Sequence, residues 1–203
     1  EPPAQSPAPL PFGCTRLGVE ARSPAELPTD QPLYARVEEA EPPPAGQDLV
    51  LVADTATKLD AWMGRCALEI ELNRDTAPWL LAHRARLESE LERVTLHQPS
   101  WERMDQASES DVRDPAGFFL ALNLPVRTSG LAACQAPGAR LVEARAILRK
   151  DLFDPQSGRP GVQALAKQHV AEGYRVHSLR CRSCRVRERC DGISISMVRD
   201  QGL

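Results

Sequence analysis

Apolar and polar positions change rhythm several times along this chain, and each change marks a predicted element. DLVLVA (48–53) is a short apolar run rich in β-branched residues, the texture of a strand buried on both faces. DTATKLDAWMGR (54–65) places Leu59, Trp62 and Met63 on one helical face, with Asp54 or Thr55 as N-cap. ALEIEL (67–72) reads as a strand. Asp75 and Thr76 are expected to cap a helix running through LLAHRARLESELE to about Glu92, with Leu80, Leu87 and Leu91 as its apolar stripe. RVTLHQ (93–98) predicts a further strand, closed by Pro99. DPAGFFLALN (114–123) predicts a short helix with aspartate at the cap and proline at the first helical position. LPVRTSGLAA (124–133) reads as extended.

Strand and helix in alternation predict an α/β fold of parallel strands with right-handed crossovers. About four strands are visible, too few for a closed eight-stranded barrel. Residues 1–47 are dense in proline, with PP at 2–3 and PPP at 42–44, and are expected to form a linker or wrapping segment. Beyond 133 the pattern predicts a helix over 143–153 and another over 161–173, stopped by Gly173. YRVHSLR (174–180) then runs extended into a cysteine cluster. Three regions result: the segment 1–47, an α/β region over 48–133, and a helical, cysteine-rich region over 134–203.

Charge and composition narrow the function. A net charge of −3 and a pI near 5.9 argue against general nucleic-acid binding, which needs a basic surplus. No apolar run approaches the roughly 20 residues that span a bilayer. The N-terminus lacks the layout of a signal peptide, so a cytoplasmic location is expected. Six cysteines are too few for a disulfide scaffold, and three of them fall within ten residues.

Those three are Cys181, Cys184 and Cys190 in CRSCRVRERC. A C-x2-C turn aims two thiolates at one metal without distorting the backbone, and Cys190 follows after five residues. Arg175, Arg180, Arg182, Arg185, Arg187 and Arg189 crowd the same stretch; positive neighbours favour thiolates and offset the negative charge of a thiolate-ligated cluster. Metal binding is the expectation, by an iron–sulfur cluster or a structural zinc. Cys134, in GLAACQAPG after a predicted strand, is the best-placed fourth ligand, with His177, Cys14 and an open position as alternatives. Cys66 reads as a packed thiol.

The string CRSCRVRERCDGI, preceded by a lone cysteine in LAACQAPG, resembles the auxiliary-cluster region of radical S-adenosylmethionine proteins, of the truncated SPASM-like kind. There a cysteine after the last barrel strand joins a C-x2-C-x5-C-x-G. The alternation over 48–133 is similar to the second half of the partial (β/α)6 barrel of that family. The resemblance implies a [4Fe-4S] cluster on Cys134, Cys181, Cys184 and Cys190, a role in peptide or protein modification, and S-adenosylmethionine nearby. The family's C-x3-C-x2-C motif is absent from all 203 residues, so the chain is not competent alone and is expected to be a piece of a longer protein or a degenerate relative.

If the α/β region is half a barrel, polar residues at the strand ends line its mouth. These are Glu71, Asn73, His97, Gln98, Arg127, Thr128 and Ser129, and the resemblance implies that such positions, Asn73, His97 and Gln98 foremost, touch S-adenosylmethionine or the substrate; the blander reading makes Asn73 and Asp75 capping residues and His97-Gln98-Pro99 a loop entry. Glycine-rich phosphate loops and a G-x-S-x-G elbow are absent. The rival function is a non-catalytic, zinc-stabilised protein-binding module whose arginine-rich knuckle contacts an acidic partner. Substrate, reaction and oligomeric state are not written in the sequence.

Overall fold

The computed structural model describes residues 16–28, 32–43, 47–101, 104–143, 152–154, 156–169 and 173–201. Seven strands, β1 (Leu17–Ala21), β2 (Leu33–Val37), β3 (Leu49–Ala53), β4 (Ala67–Glu71), β5 (Val94–His97), β6 (Arg127–Ser129) and β7 (Arg140–Leu141), form one sheet. All pairings are parallel, and the spatial order equals the chain order, so the sheet has no topological switch point.

β1 and β2 fall inside the segment that the prolines marked as linker. The described prolines of that segment lie in the connections, at Pro24, Pro28, Pro32, Pro42 and Pro43, and LGVEA and LYARV hold none, so both strands keep every ladder donor. The predicted strands at 48–53, 67–72 and 93–98 stand as β3, β4 and β5; the extended stretch 124–133 contributes only the three residues of β6.

The register gives the sheet two unlike faces. Leu33, Leu49, Leu51, Leu68, Ile70, Val94 and Leu96 share one face and are buried. They join one core with Leu59 and Trp62 of α1 (Ala56–Trp62), Leu80 of α2 (Thr76–Ala82), Leu87 of α3 (Arg84–Glu88) and Phe119 and Leu122 of α5 (Pro115–Leu122). The alternation in ALEIEL turns Glu69 and Glu71 to the other face, beside Val52, Thr95, His97 and Ser129.

Local chemistry sets the helix ends. Thr55 Oγ1 caps α1 by accepting from Lys58 N–H. Asp114 Oδ1 accepts from Gly117 N–H at 2.9 Å, Pro115 opens α5, and Asn123 closes it at φ 47°. The predicted helix 75–92 is instead two, α2 and α3, broken at His83, whose ring stacks on Trp79 and whose Nδ1 lies 2.9 Å from the Trp79 carbonyl. Its cap also differs: Asn73 Oδ1 accepts from Asp75 and Thr76 N–H at 2.8 and 2.9 Å. Asp75 reaches back to accept Ala56 N–H at 2.8 Å, at the start of α1.

Two helices lie outside the predicted pattern, α4 (Met104–Ser110) and α7 (Ile195–Gln201), and they pack on each other. The predicted helix 161–173 is described as α6 (Val162–Gln168), none of whose residues is buried. The predicted helix 143–153 falls almost wholly outside the described residues. A short antiparallel pair, β8 (Arg175–Val176) and β9 (Ile193–Ser194), brackets the cysteine run. No helix among the described residues is long and apolar enough to cross a membrane.

Trp62 is fully buried and its Nε1–H donates to Glu41 O at 2.6 Å, tying the β2–β3 connection to α1. Trp62→Ala should cost about 3–5 kcal/mol by the cavity left behind, read as a fall in the urea midpoint.

Candidate metal centre

The cysteine run folds as a chain of three-residue turns. Cys181 N–H donates to Ser178 O at 3.0 Å, Cys184 N–H to Cys181 O at 3.2 Å, Arg187 N–H to Cys184 O and Cys190 N–H to Arg187 O at 3.3 Å. With three residues per turn, side chains three and six apart lie above one another. The repeat is not continuous: 3-10 turns at Leu179–Ser183 and Arg187–Arg189 are separated at Cys184, which is extended, and together they bring Cys181, Cys184, Arg187 and Cys190 to one pocket.

Cys134 reaches the same pocket from the loop after β6. Gly130 starts that loop at φ 81°, and a Cβ there would stand 2.2 Å from Gln98 O, so only glycine lets the chain turn so close to the end of β5. Gln135 Oε1 then accepts Ala132 N–H at 3.1 Å while its Nε2 meets Met197 Sδ of α7 at 2.7 Å, which pins the loop. On the far side, Gly192 at φ 92° would put a Cβ 2.5 Å from Val176 O, and its N–H donates to Cys190 Sγ at 3.4 Å. Arg175 joins the two sides: its guanidinium donates to Gly130 O at 2.7 Å and to Gly192 O at 3.0 Å. Burial lowers the Arg175 pKa, against the pull of Asp191 and Cys190.

The pocket, partly open to solvent, measures about 20 Å³ as it stands, so a group larger than a single ion would need the cysteine-bearing turns to part around it. Its wall carries four thiols, His177 and Arg187 and no carboxylate. His177 Nε2 lies 2.8 Å from Cys190 O, so that ring nitrogen is engaged with the backbone. Among the described residues, no three His, Cys, Asp or Glu side chains converge closely enough to hold one metal ion as they stand. The Cys134 thiol is pushed up by burial first and then by Cys190, Cys181 and Cys184. The donor set therefore fits a thiophilic, multiply charged cation, whose charge would relieve that mutual repulsion. Cys14 lies outside the described residues. Cys66 is buried away from the pocket, and burial pushes its thiol up to about 11, as for a packed, unreactive cysteine.

The residues expected at the strand mouth separate into three situations. Asn73 is occupied by the α2 cap and by donating Nδ2–H to Asp54 O at 2.8 Å. His97 lies on the polar sheet face with Nδ1 2.9 Å from Ser129 Oγ, in register with Glu71. Gln98 is 2% exposed and turned into the body, where Nε2 donates to Asp111 Oδ1 at 2.9 Å and Oε1 is buried without a partner. Around His97 the polar face carries an ion network centred on Glu71, one of the residues expected at the strand mouth, with partners that the pattern did not reveal. Arg36 bonds Glu71, and also Asp54 at 3.3 Å; Lys58 meets Asp54 at 2.8 Å, and Tyr34 O–H donates to Glu69 at 2.7 Å. Burial works against the Arg36 charge, yet Glu71 and Asp54 outweigh it and raise its pKa. The legible signal was the pair Glu69 and Glu71 at alternate positions of a strand otherwise apolar.

Comparison with protein families, with curated proteins and with solved structures finds no match to this chain.

Gly192→Ala should disrupt the β8–β9 pairing and lower metal uptake, whereas Gly138→Ala meets only backbone strain, with nothing within 4 Å of its added Cβ. Metal stoichiometry of the two variants after identical loading checks this. Burial raises the Asp111 carboxyl to about 6, although Trp101 and Gln98 donate to it. A carboxyl raised on folding contributes stability that is intact at acid pH and lost as pH climbs through the folded value. Asp111→Asn should therefore abolish the decline in unfolding free energy between about pH 4 and about pH 6, read from urea titrations across that range.

Proposed function

We propose that this chain is the iron–sulfur cluster-binding part of a radical S-adenosylmethionine-type enzyme acting in peptide or protein modification. One observation carries the reading: Cys134, Cys181, Cys184 and Cys190 line a single pocket, although Cys134 lies in the loop after β6 and the others follow β8. A [4Fe-4S] cluster gives each thiolate its own iron, so it accepts four sulfurs spread around a common body. The lone Cys134 ahead of the C-x2-C-x5-C-x-G string, and the arginines that offset the negative charge of a thiolate-ligated cluster, favour the cluster over the zinc-stabilised binding module.

In this reading the all-parallel, sequentially ordered sheet is part of an open (β/α) barrel, and residues 134–203 are its cysteine-rich extension. The polar sheet face, with His97, Glu69 and Glu71, is the side toward S-adenosylmethionine or substrate. Asn73 and Gln98 serve that side by shaping the β4 and β5 ends. When bound, the cluster would supply electron transfer or a grip on the substrate. The chain's own residues do the holding: Gly192 N–H donates to Cys190 Sγ, and Arg175 keeps the two cysteine-bearing segments together. Reductive cleavage of S-adenosylmethionine needs the C-x3-C-x2-C cysteines, which these residues lack. Reduced thiols and an oxygen-sensitive cluster suit the cytoplasm.

Anaerobic reconstitution with iron and sulfide should yield a brown protein absorbing near ~400 nm with about four irons per chain. Cys134→Ser should lose most of that absorbance. One tightly held zinc per chain with no iron uptake would sink the reading; unchanged iron in Cys134→Ser would remove Cys134 from the ligand set.

A further inference from the structure

We infer that the surface around the cysteine pocket is a docking face for an acidic polypeptide segment carrying aliphatic side chains. Residues 174–191 hold six arginines against Glu188 and Asp191, in a chain whose net charge is −3. Positive charge is thus gathered on one small part of an otherwise acidic molecule. Arg180, Arg182, Arg185 and Arg187 are all exposed, and none has an ion-pair partner among the described residues. Elsewhere Arg16, Arg22, Arg36, Arg84, Arg86 and Arg93 each face a carboxylate, and exposed arginines that do not among the described residues, such as Arg65, Arg113, Arg140 and Arg159, are scattered along the chain rather than clustered. Like charges held close together repel, and Glu188 and Asp191 offset only part of this cluster.

Apolar side chains are interleaved with those guanidiniums. Leu179 is 77% exposed and Val186 41%. Carboxylates pair with arginine forks in bidentate fashion, and aliphatic side chains lie on Leu179 and Val186, so an acidic segment with leucine-like residues meets both features together. Val186 and Arg187 also line the cysteine pocket, so a segment seated here crosses its mouth. A nucleic acid suits the face less. Its regular charge would run past this short patch onto acidic surface, and Tyr174 is the one aromatic residue in the stretch. The inference rests on the proposed action on a peptide or protein and names the charge of that partner.

The test titrates the full chain, reconstituted anaerobically, into a fluorescein-labelled synthetic peptide of about a dozen Glu, Asp and Leu residues, read by anisotropy. Binding should weaken as salt rises from about 50 to about 200 mM. The double variant Arg182→Glu/Arg185→Glu should bind at least about tenfold more weakly. Arg65→Glu, an exposed reversal in the turn before β4, should change Kd by less than about twofold. Leu179→Asp gives an independent arm and should weaken binding about fivefold or more. Circular dichroism and iron and sulfide content are measured on every sample. Unchanged affinity in both the double variant and Leu179→Asp overturns the inference, as does an equal loss in Arg65→Glu. Tighter binding of a single-stranded oligonucleotide than of the peptide overturns it in favour of nucleic acid. Peptide binding without a cluster would strike the iron–sulfur reading and leave the docking face standing; a cluster without peptide binding would strike only the docking face.

Discussion

The guanidinium of Arg175 is the joint on which the cysteine site depends. It spans from Gly130 O, at the exit of β6, to Gly192 O, behind Cys190, and so fixes how far Cys134 stands from the other three thiols. Both acceptors are glycines with positive φ, and each presses a neighbouring backbone too closely for any side chain. A lysine could reach one of these carbonyls, but it lacks the planar fork that serves two at once. Position, rather than the number of cysteines, is what this arrangement supplies.

The sheet behind the joint divides its labour by face. Leucine, isoleucine and valine on one side carry the core with the helices, and burial there is the main source of stability. The other side spends burial on carboxylates, which is costly unless they are paired. Arg36, Lys58 and Tyr34 supply the partners, so Glu69 and Glu71 remain in place at little exposure. Holding charges on that face costs more than an apolar replacement would, so the network of Arg36, Glu71 and Asp54 is not what stabilises the sheet.

How much of this could be read from the chain depended on range. β3, β4 and β5 were legible because their apolar runs are local signals. β1 and β2 were hidden because proline density averaged over 1–47 outweighed two five-residue stretches without proline. The break at His83 was invisible because the apolar stripe through Leu80 and Leu87 continues across it, and only the stacking of His83 on Trp79 marks the interruption. The cysteine spacing suggested that Cys181, Cys184 and Cys190 gather, and all three line one pocket with Cys134. Arg175 stood among six arginines with nothing to distinguish it, since its role comes from carbonyls 45 and 17 residues away. The burial of Gln98 was equally unreadable, because Asp111, which turns it inward, belongs to the unforeseen α4 region.

The strand order has a consequence for how the molecule assembles. Every strand of the large sheet pairs only with its neighbours in sequence, so no pairing in it has to reach past an intervening strand. The cysteine pocket obeys a different timetable. It requires the stretch after β6 to meet residues 175–192, a longer closure that has no template until β5 and β6 stand together and Gly130 is seated on Gln98. The site thus rests on contacts of longer range in the chain than any strand pairing of the large sheet, and a thiol-bound group would bridge that same span.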